Sequence, residues 1–438
     1  MTNCSKKAIR FKGIKSKKLE AVFSEDKITS DAGVLLLRQV EKRIGFLKTI
    51  SEGITDKRNQ SYVDHSTKTM ITQRVFAIAC GYEDVNDHNE LRKDTIFKIG
   101  ADKELHASHL AGASTICRLE NSVNREDLIA ISKAFVEYFI QSFTIPPRKL
   151  ILDFDATDDP IYGKQEKRFY HGYYRSYCYL PLYVYCGNKL VLPYLRSSDK
   201  DQARHAWAIL SLLVKRFREK WPNVEIVFRG DSGFCRHKMF TWCDMNNVKY
   251  IVGIAGNSRL KEEAELTIEE SRKLADITGG KVRLFGEIEY AAKTWDRKRR
   301  VIVKAEQLEK GGNIRFAVTN IKDISPTKLY DKVYVMRGDM ENRIKEQQLD
   351  LFADRTSCHK FLANQFRLFL SSAAYVLLEY IRRIGLTGTR LEKSQCSTIR
   401  LKLLKIGAVI VENTRRILIK ISDCFVYKDI FIRLAHSL

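Results

Sequence analysis

The chain has 438 residues and carries 76 Lys and Arg against 53 Asp and Glu, a formal net charge of +23. At about 100–200 residues per domain this length suggests several domains, and 44% hydrophobic with 10% aromatic residues excludes global disorder. So large a positive excess does not suit a generic metabolic enzyme. It calls for a polyanionic partner, nucleic acid first.

No run of about 18 uncharged apolar residues stands in the sequence, so no membrane partner is expected. The basic N-terminus, MTNCSKKAIRFKGIKSKK, lacks the apolar segment of a signal peptide. None of the ten cysteines forms a CxxC pair or a Cys/His spacing that suits zinc, so a reduced, cytoplasmic protein is expected.

In chain order, the first 147 residues read as mostly helical. Ser30 or Asp31 would cap the segment VLLLRQVEKRIG, with Leu35, Leu36 and Val40 on its buried face. TKTMITQRVFAIACGY gives a second helix ending near Gly81. Residues 110–121, LAGASTICRLEN, fit either a helix-turn-helix-like element or an ordinary capped helix of a bundle.

The pattern changes near Pro146. Residues 149–157, KLILDFDAT, alternate as a strand does, with Leu150, Leu152 and Phe154 on one face and Ile151, Asp153 and Asp155 on the other. YCYLPLYVYC and KLVLPYLRSS follow as a hairpin turned at Gly187 and Asn188. Ala203, Trp207, Leu210, Val214 and Phe217 mark a helix by their spacing of three and four, and VEIVFRGD is a short apolar strand ending at Asp231. HKMFTWCDMNN reads as a helix and YIVGIAG as a fifth strand. Beyond about Gly256, a charged helix leads to three β-like stretches, KVRLFGEIEYAAK, RRVIVKAEQ and IRFAVTN, which look like a β-rich insertion. YVMRGDMENRIKEQQLD turns helical, and the tail from about Lys360 is helical, apolar and basic.

The chemical signal is acidic inside a basic chain. Asp155, Asp231 and Glu341 each end or punctuate an element, and like charges brought together repel unless a cation lies between them. Mg²⁺ takes carboxylate and phosphate oxygens, and a pair of such ions serves phosphodiester cleavage. Tyr334, Arg337, Glu341, Lys345 and Gln348 are spaced by three and four, so Arg337 and Lys345 would face the same cleft as Glu341 and meet phosphates. Each residue also has a plainer reading. Asp231 starts a turn, Asp155 caps one with Thr157, and the ladder is a solvated, ion-paired helix face. In KTWDRKRR, Trp295 lies beside Arg297, Lys298, Arg299 and Arg300; it suits an aromatic stacked on a displaced base among phosphate-binding cations, or a half-buried Trp in a β-turn. His171, in FYHGYY, reads as a general base or, more plainly, as a hydrogen-bonded core or surface histidine, and two-metal chemistry does not need it.

Taken together, GYEDVNDHNELRKD, STICRLEN, LDFDATDDPIYG, FYHGYYRSYCYLPLYVYCG, FRGDSGF, YVMRGDMENRIKE and DRTSCHKFLANQFRLFLSSAAYVLL resemble the transposases of the insertion-sequence 1380 family, DDE transposases related to the insertion-sequence 4 group. The resemblance implies an α/β fold with an RNase H-like catalytic core, a mixed sheet with flanking helices interrupted by a β-rich insertion. The expected division is a helical DNA-binding region over 1–147, core over 148–256, insertion over 257–325, core again over 326–375 and a helical C-terminal region over 376–438. Asp155, in a D-x-T strand motif, matches the first catalytic acid, with Asp153 on the same face as its rival; Asp231 matches the second and Glu341 the third. Similar transposases carry a Lys seven residues beyond that Glu, where this chain has Gln348.

The implied activity is DNA transposition. The protein would bind the terminal inverted repeats of its own element, nick the ends with two Mg²⁺ ions (Mn²⁺ substituting) held by the three acids, and join the freed 3′-OH to target DNA. Its partners would be double-stranded DNA and a second copy in a synaptic homodimer, with a nucleoid association when bound. A non-catalytic DNA-binding regulator descended from a transposase, or another nuclease of RNase H-like fold, are the alternatives; the complete acidic triad favours the enzyme. With about 6–10 phosphate contacts, duplex affinity is expected to fall by roughly 10³–10⁵ between 50 and 200 mM salt. Anisotropy titrations of a labelled duplex across that range check this, and a flat response would exclude DNA as the partner.

Overall fold

Apolar alternation along eight segments builds one large mixed sheet in the computed structural model, which describes residues 8–23, 27–309 and 311–438. Residues 1–7 of the basic N-terminus lie outside that description. The strands are β1 (Lys149–Ala156), β2 (Leu182–Cys186), β3 (Lys189–Tyr194), β4 (Glu225–Gly230), β5 (Lys249–Ile254), β6 (Val282–Tyr290), β7 (Arg299–Leu308) and β8 (Gly311–Thr319). Their order across the sheet is β6-β7-β8-β5-β4-β1-β2-β3. β4 runs parallel to both β1 and β5, and the other neighbours are antiparallel.

The alternation expected in β1 is present. Leu150, Leu152 and Phe154 join Leu182, Val184, Ile226 and Phe228 in a core covered by the helix Ala206–Lys220, whose Leu210, Leu213, Val214 and Phe217 are buried. Ile151 lies on the opposite face with Val227, Ile251, Leu329 and Tyr330. Each fully buried Leu or Phe contributes about 1.5–3 kcal/mol. The run YCYLPLYVYC does not form one strand. It divides before Pro181, which has no N–H to give a ladder. Ser176–Tyr179 pairs instead with Asp159–Pro160 and Phe169–His171 in a small separate sheet.

The three strands expected as an insertion form. They do not make a layer of their own: β8 pairs with the edge of β5, Ile251 opposite Thr319, so β6 to β8 continue the central sheet.

The helical ends of the chain share one core. We label α1 (Val34–Ile44), α2 (Thr67–Ala79), α3 (Ala113–Ser122), α4 (Arg125–Gln141), α5 (Gly338–Lys345) and α6 (Phe361–Tyr380). Phe366, Phe369 and Leu377 of α6 pack with Leu37, Phe76, Ile116 and Phe135 from α1 to α4 and with Leu403 near the C-terminus. α6 runs on into a wide turn, and Phe361–Gly385 is long and apolar enough by composition to cross a membrane, although 83% of its apolar stretch is buried inside the protein. A buried ion pair, Arg74 of α2 with Glu120 of α3 at 3.0 Å, ties the bundle together.

Two regions expected to be helical contain strands. Near the N-terminus Ile9–Ile14 and Lys17–Ala21 form a hairpin. Lys27–Thr29 pairs with Ala408–Asn413, itself paired with Arg416–Ile421, so the C-terminal region is part sheet. These ladders join residues far apart in sequence, and local periodicity carries no trace of such a partner.

Candidate active site

β1 and β4 are parallel neighbours in register, with Asp153 opposite Arg229 and Phe154 opposite Gly230. The residues that follow, Asp155 and Asp231, therefore stand side by side at the carboxyl ends of adjacent parallel strands. That end of an open α/β sheet is where ligands bind. Asp231 leaves β4 as the cap of a short helical turn, accepting a hydrogen bond from the Gly233 N–H at 2.9 Å. Its other oxygen receives the Gln202 amide at 3.4 Å.

The third acid arrives on a helix that crosses this end. The segment Tyr330–Tyr334 makes one wide turn and Val335–Arg337 a tight one before α5 begins, an irregularity of the kind found at functional sites. Gly253 of β5 makes room for it. A Cβ there would lie 2.4 Å from the Tyr334 hydroxyl and 3.0 Å from the Ser232 nitrogen, so only glycine lets the helix and the Asp231 turn close over the strand.

Arg337 joins the acids. Its guanidinium donates to Asp155 at 3.2 Å and to Glu341 at 2.7 Å. Burial pushes the Asp155 carboxyl up to about 7; Arg337 opposes that rise, while Asp231 and Glu341 add to it. Burial alone would lower the pKa of Arg337, yet Asp155 and Glu341 hold it above the usual value. Asp155 and Glu341 thus share a single protein cation, and Asp231 bears on Asp155 and Arg337 through its charge. Among the described residues, no three His, Cys, Asp or Glu side chains converge as closely as a metal cage requires. The donor set is nevertheless the right chemistry for Mg²⁺: carboxylate oxygens, two of them already sharing one positive charge.

Asp153 has a different environment. Arg229 forks onto it, Nε to one oxygen and Nη2 to the other at 2.7 Å, and both residues are almost fully buried. Burial raises its pKa and Arg229 opposes the rise. Both oxygens of Asp153 are spent on this pair, whereas Asp155 opens toward Arg337.

The rest of the ladder divides. Gln348 reaches the chain just past β1, donating at 2.9 Å to the Asp158 carbonyl and at 2.9 Å to Asp159, and so clamps the strand end instead of offering charge. Lys345 is exposed and makes no ion pair among the described residues. Tyr334 is half-buried against Tyr330, ring centroids 5.2 Å apart, and faces the site as a packing group.

The basic tract around Trp295 takes the plainer of its two readings, a half-buried Trp. Trp295 is wedged edge-on between Phe240 and Tyr290, centroids 5.7 and 5.6 Å away, so its ring is not free to stack on a base. Arg299 is buried and bonded to Asp244, Asp296 and Tyr250, and Arg300 is bonded to Glu287 at 2.5 Å and to three carbonyls. Arg300 has no donor to spare for phosphate, and the one unpartnered donor of Arg299, its Nε, is buried. Arg297 is paired with Asp244, and Lys298 alone of the four is exposed without an ion pair among the described residues. Three contributors escaped the sequence reading: Gln202, Arg229 and Gly253. Arg229 alone left a signal, a charged residue directly after the apolar Ile226, Val227 and Phe228 of its strand.

A model of the family described as the transposase DDE domain, group 1, matches residues 11–438. The chain belongs to that family. A solved structure, the cryo-EM structure of a piggyBac transposase synaptic complex with hairpin DNA, is similar at 12% identity and a TM-score of 0.43, over 87% of this chain and 82% of that one. No curated protein matches. This DDE transposase is thus a mixed α/β protein of a family of nucleases and transesterases.

The unequal surroundings of the two β1 acids give a prediction for the metal-free transposase. Asp153→Asn leaves Arg229 buried without its countercharge and should cost about 3–5 kcal/mol. Asp155→Asn removes a buried carboxylate crowded by two others and should not lower the melting temperature. Thermal unfolding of both variants checks this, and equal losses would make Asp155 a structural anchor as well.

Proposed function

We propose that this transposase cuts and joins DNA with Asp155, Asp231 and Glu341 as its catalytic acids, on the terminal inverted repeats of an element of the insertion-sequence 1380 family. The observation that carries the reading is that Arg337 bonds a strand-end carboxylate, Asp155, and a helix carboxylate, Glu341, beside the second strand-end acid, Asp231. The order β3-β2-β1-β4-β5, with β1, β4 and β5 parallel and β2 reversed, supports an RNase H-like core.

Asp155, Asp231 and Glu341 would hold two Mg²⁺ ions, which supply activation of water and stabilisation of the leaving oxygen when bound. The chain's own groups do the positioning. The Gly233 N–H and Gln202 fix the two oxygens of Asp231. Gln348 holds the chain just past Asp155. With the ions held by the acids, Arg337 would be free to offer its fork to a phosphate, the bidentate ligand it fits best. Lys345, one helical turn beyond Glu341, meets the strand next to the scissile bond. Ordered donors aimed at developing charge are the main source of rate in such chemistry.

DNA ends would be held chiefly by the helical region that includes α3, whose Arg118 is exposed while Ile116 and Leu119 anchor it in the core. Two ends processed together imply a synaptic homodimer. Glu341→Gln keeps a hydrogen-bond acceptor for Arg337 and removes the charge. It should abolish Mg²⁺-dependent nicking and strand transfer while leaving duplex affinity within about threefold, well under the tenfold that 1.4 kcal/mol represents. Cleavage at the wild-type rate would refute the assignment.

A further inference from the structure

Among the described residues, the hairpin Ile9–Ile14/Lys17–Ala21 joins none of the hydrophobic cores. All of its strand residues are exposed, including Ile9 at 46%, Phe11 at 57% and Leu19 at 45%. None of them belongs to a hydrophobic cluster. A lone two-stranded ribbon is marginally stable in water at best, so this one is built to be completed by something else.

Its charge is concentrated at one end. At the base Arg10 and Glu20 face each other in register and neutralise one another at 3.0 Å. Toward the tip Lys12, Lys15, Lys17 and Lys18 follow with no acid among them, and none is ion-paired among the described residues. The ladder shifts register between Phe11 and Ile14, which twists the ribbon and separates a lysine-bearing tip from the paired base. Gly13 is needed at that shift, because a Cβ would lie 2.5 Å from the Lys17 carbonyl oxygen. Phe11 faces Leu19 and Ile9 faces Ala21, so the apolar residues line one side of the base.

We infer that this ribbon is a DNA-docking arm whose four-lysine tip enters a groove of the duplex and meets backbone phosphates on both walls. The major groove of B-DNA admits a two-stranded ribbon, and four lysines without an ion pair among the described residues, on a narrow tip, are complementary to a polyanion. The apolar side of the base would then lie against deoxyribose and thymine methyl edges. The inference rests on the transposase reading but concerns a site remote from its acids.

The test uses the full chain with Lys12, Lys15, Lys17 and Lys18 all changed to Ala, and a second variant with all four changed to Arg. A fluorescent duplex of mixed sequence is titrated between 50 and 200 mM salt. Each lysine that meets a phosphate contributes about 0.9 to the slope of log affinity against log salt, so the Ala variant should lose about 3.6 from that slope and the Arg variant should restore it. Because the arm packs on no core, the melting temperature should stay at the wild-type value. An unchanged slope overturns the proposal. So does loss of self-association in sedimentation with the slope retained, which would seat a second copy of the chain on the ribbon. If the wild type itself shows no salt dependence, the DNA reading fails and the arm with it, whereas an unchanged slope in the Ala variant of a salt-dependent wild type overturns the arm alone.

Discussion

Two carboxylates brought together repel one another, and in this chain the Arg337 guanidinium holds Asp155 and Glu341 together beside Asp231. It bonds Asp155 on β1 and Glu341 on α5 at once, and without it Asp155 would sit among like charges in a site that already pushes it toward neutrality. The placement of α5 follows from this contact and from Gly253, which lets the preceding turn approach β5. On the proposed reading the same bond is a latch: a cation that the protein supplies until metal and phosphate take its place.

The surroundings hold that arrangement rigid. Asp153 and Arg229 lock β1 to β4 directly beneath the site. Gln348 fixes the chain leaving β1, and Glu346, buried against Arg343 and Arg382, fastens the end of the α5 segment to the helical region. The core shared by α1 to α4 and α6 makes the two ends of the chain a single support. Little at the site depends on exposed loops, which suits chemistry that relies on position.

Much of this was legible in the sequence. The alternation of β1, the hairpin at Gly187, the apolar strands β4 and β5 and the three later β stretches stood out because their period is local. The order of the acids along these elements was legible too, and the family match agrees with the transposase reading. What failed to show depends on partners distant in sequence. Nothing in KTWDRKRR reveals that Asp244 and Glu287 neutralise its arginines or that Phe240 and Tyr290 enclose Trp295. Nothing in residues 27–29 reveals a strand waiting at Ala408–Asn413. Strand parity left Asp153 and Asp155 equivalent; the fork of Arg229 distinguishes them.

The central claim is that Asp155 and Glu341 would give up the Arg337 cation and, with Asp231, hold metal when DNA is present. Counting bound Mn²⁺ by electron paramagnetic resonance on the protein–duplex complex tests it most directly. The account predicts two ions on each wild-type chain and their loss when Asp155 is changed to Ala. A wild-type complex that holds no Mn²⁺, or an Asp155→Ala complex that holds as many as the wild type, would contradict it.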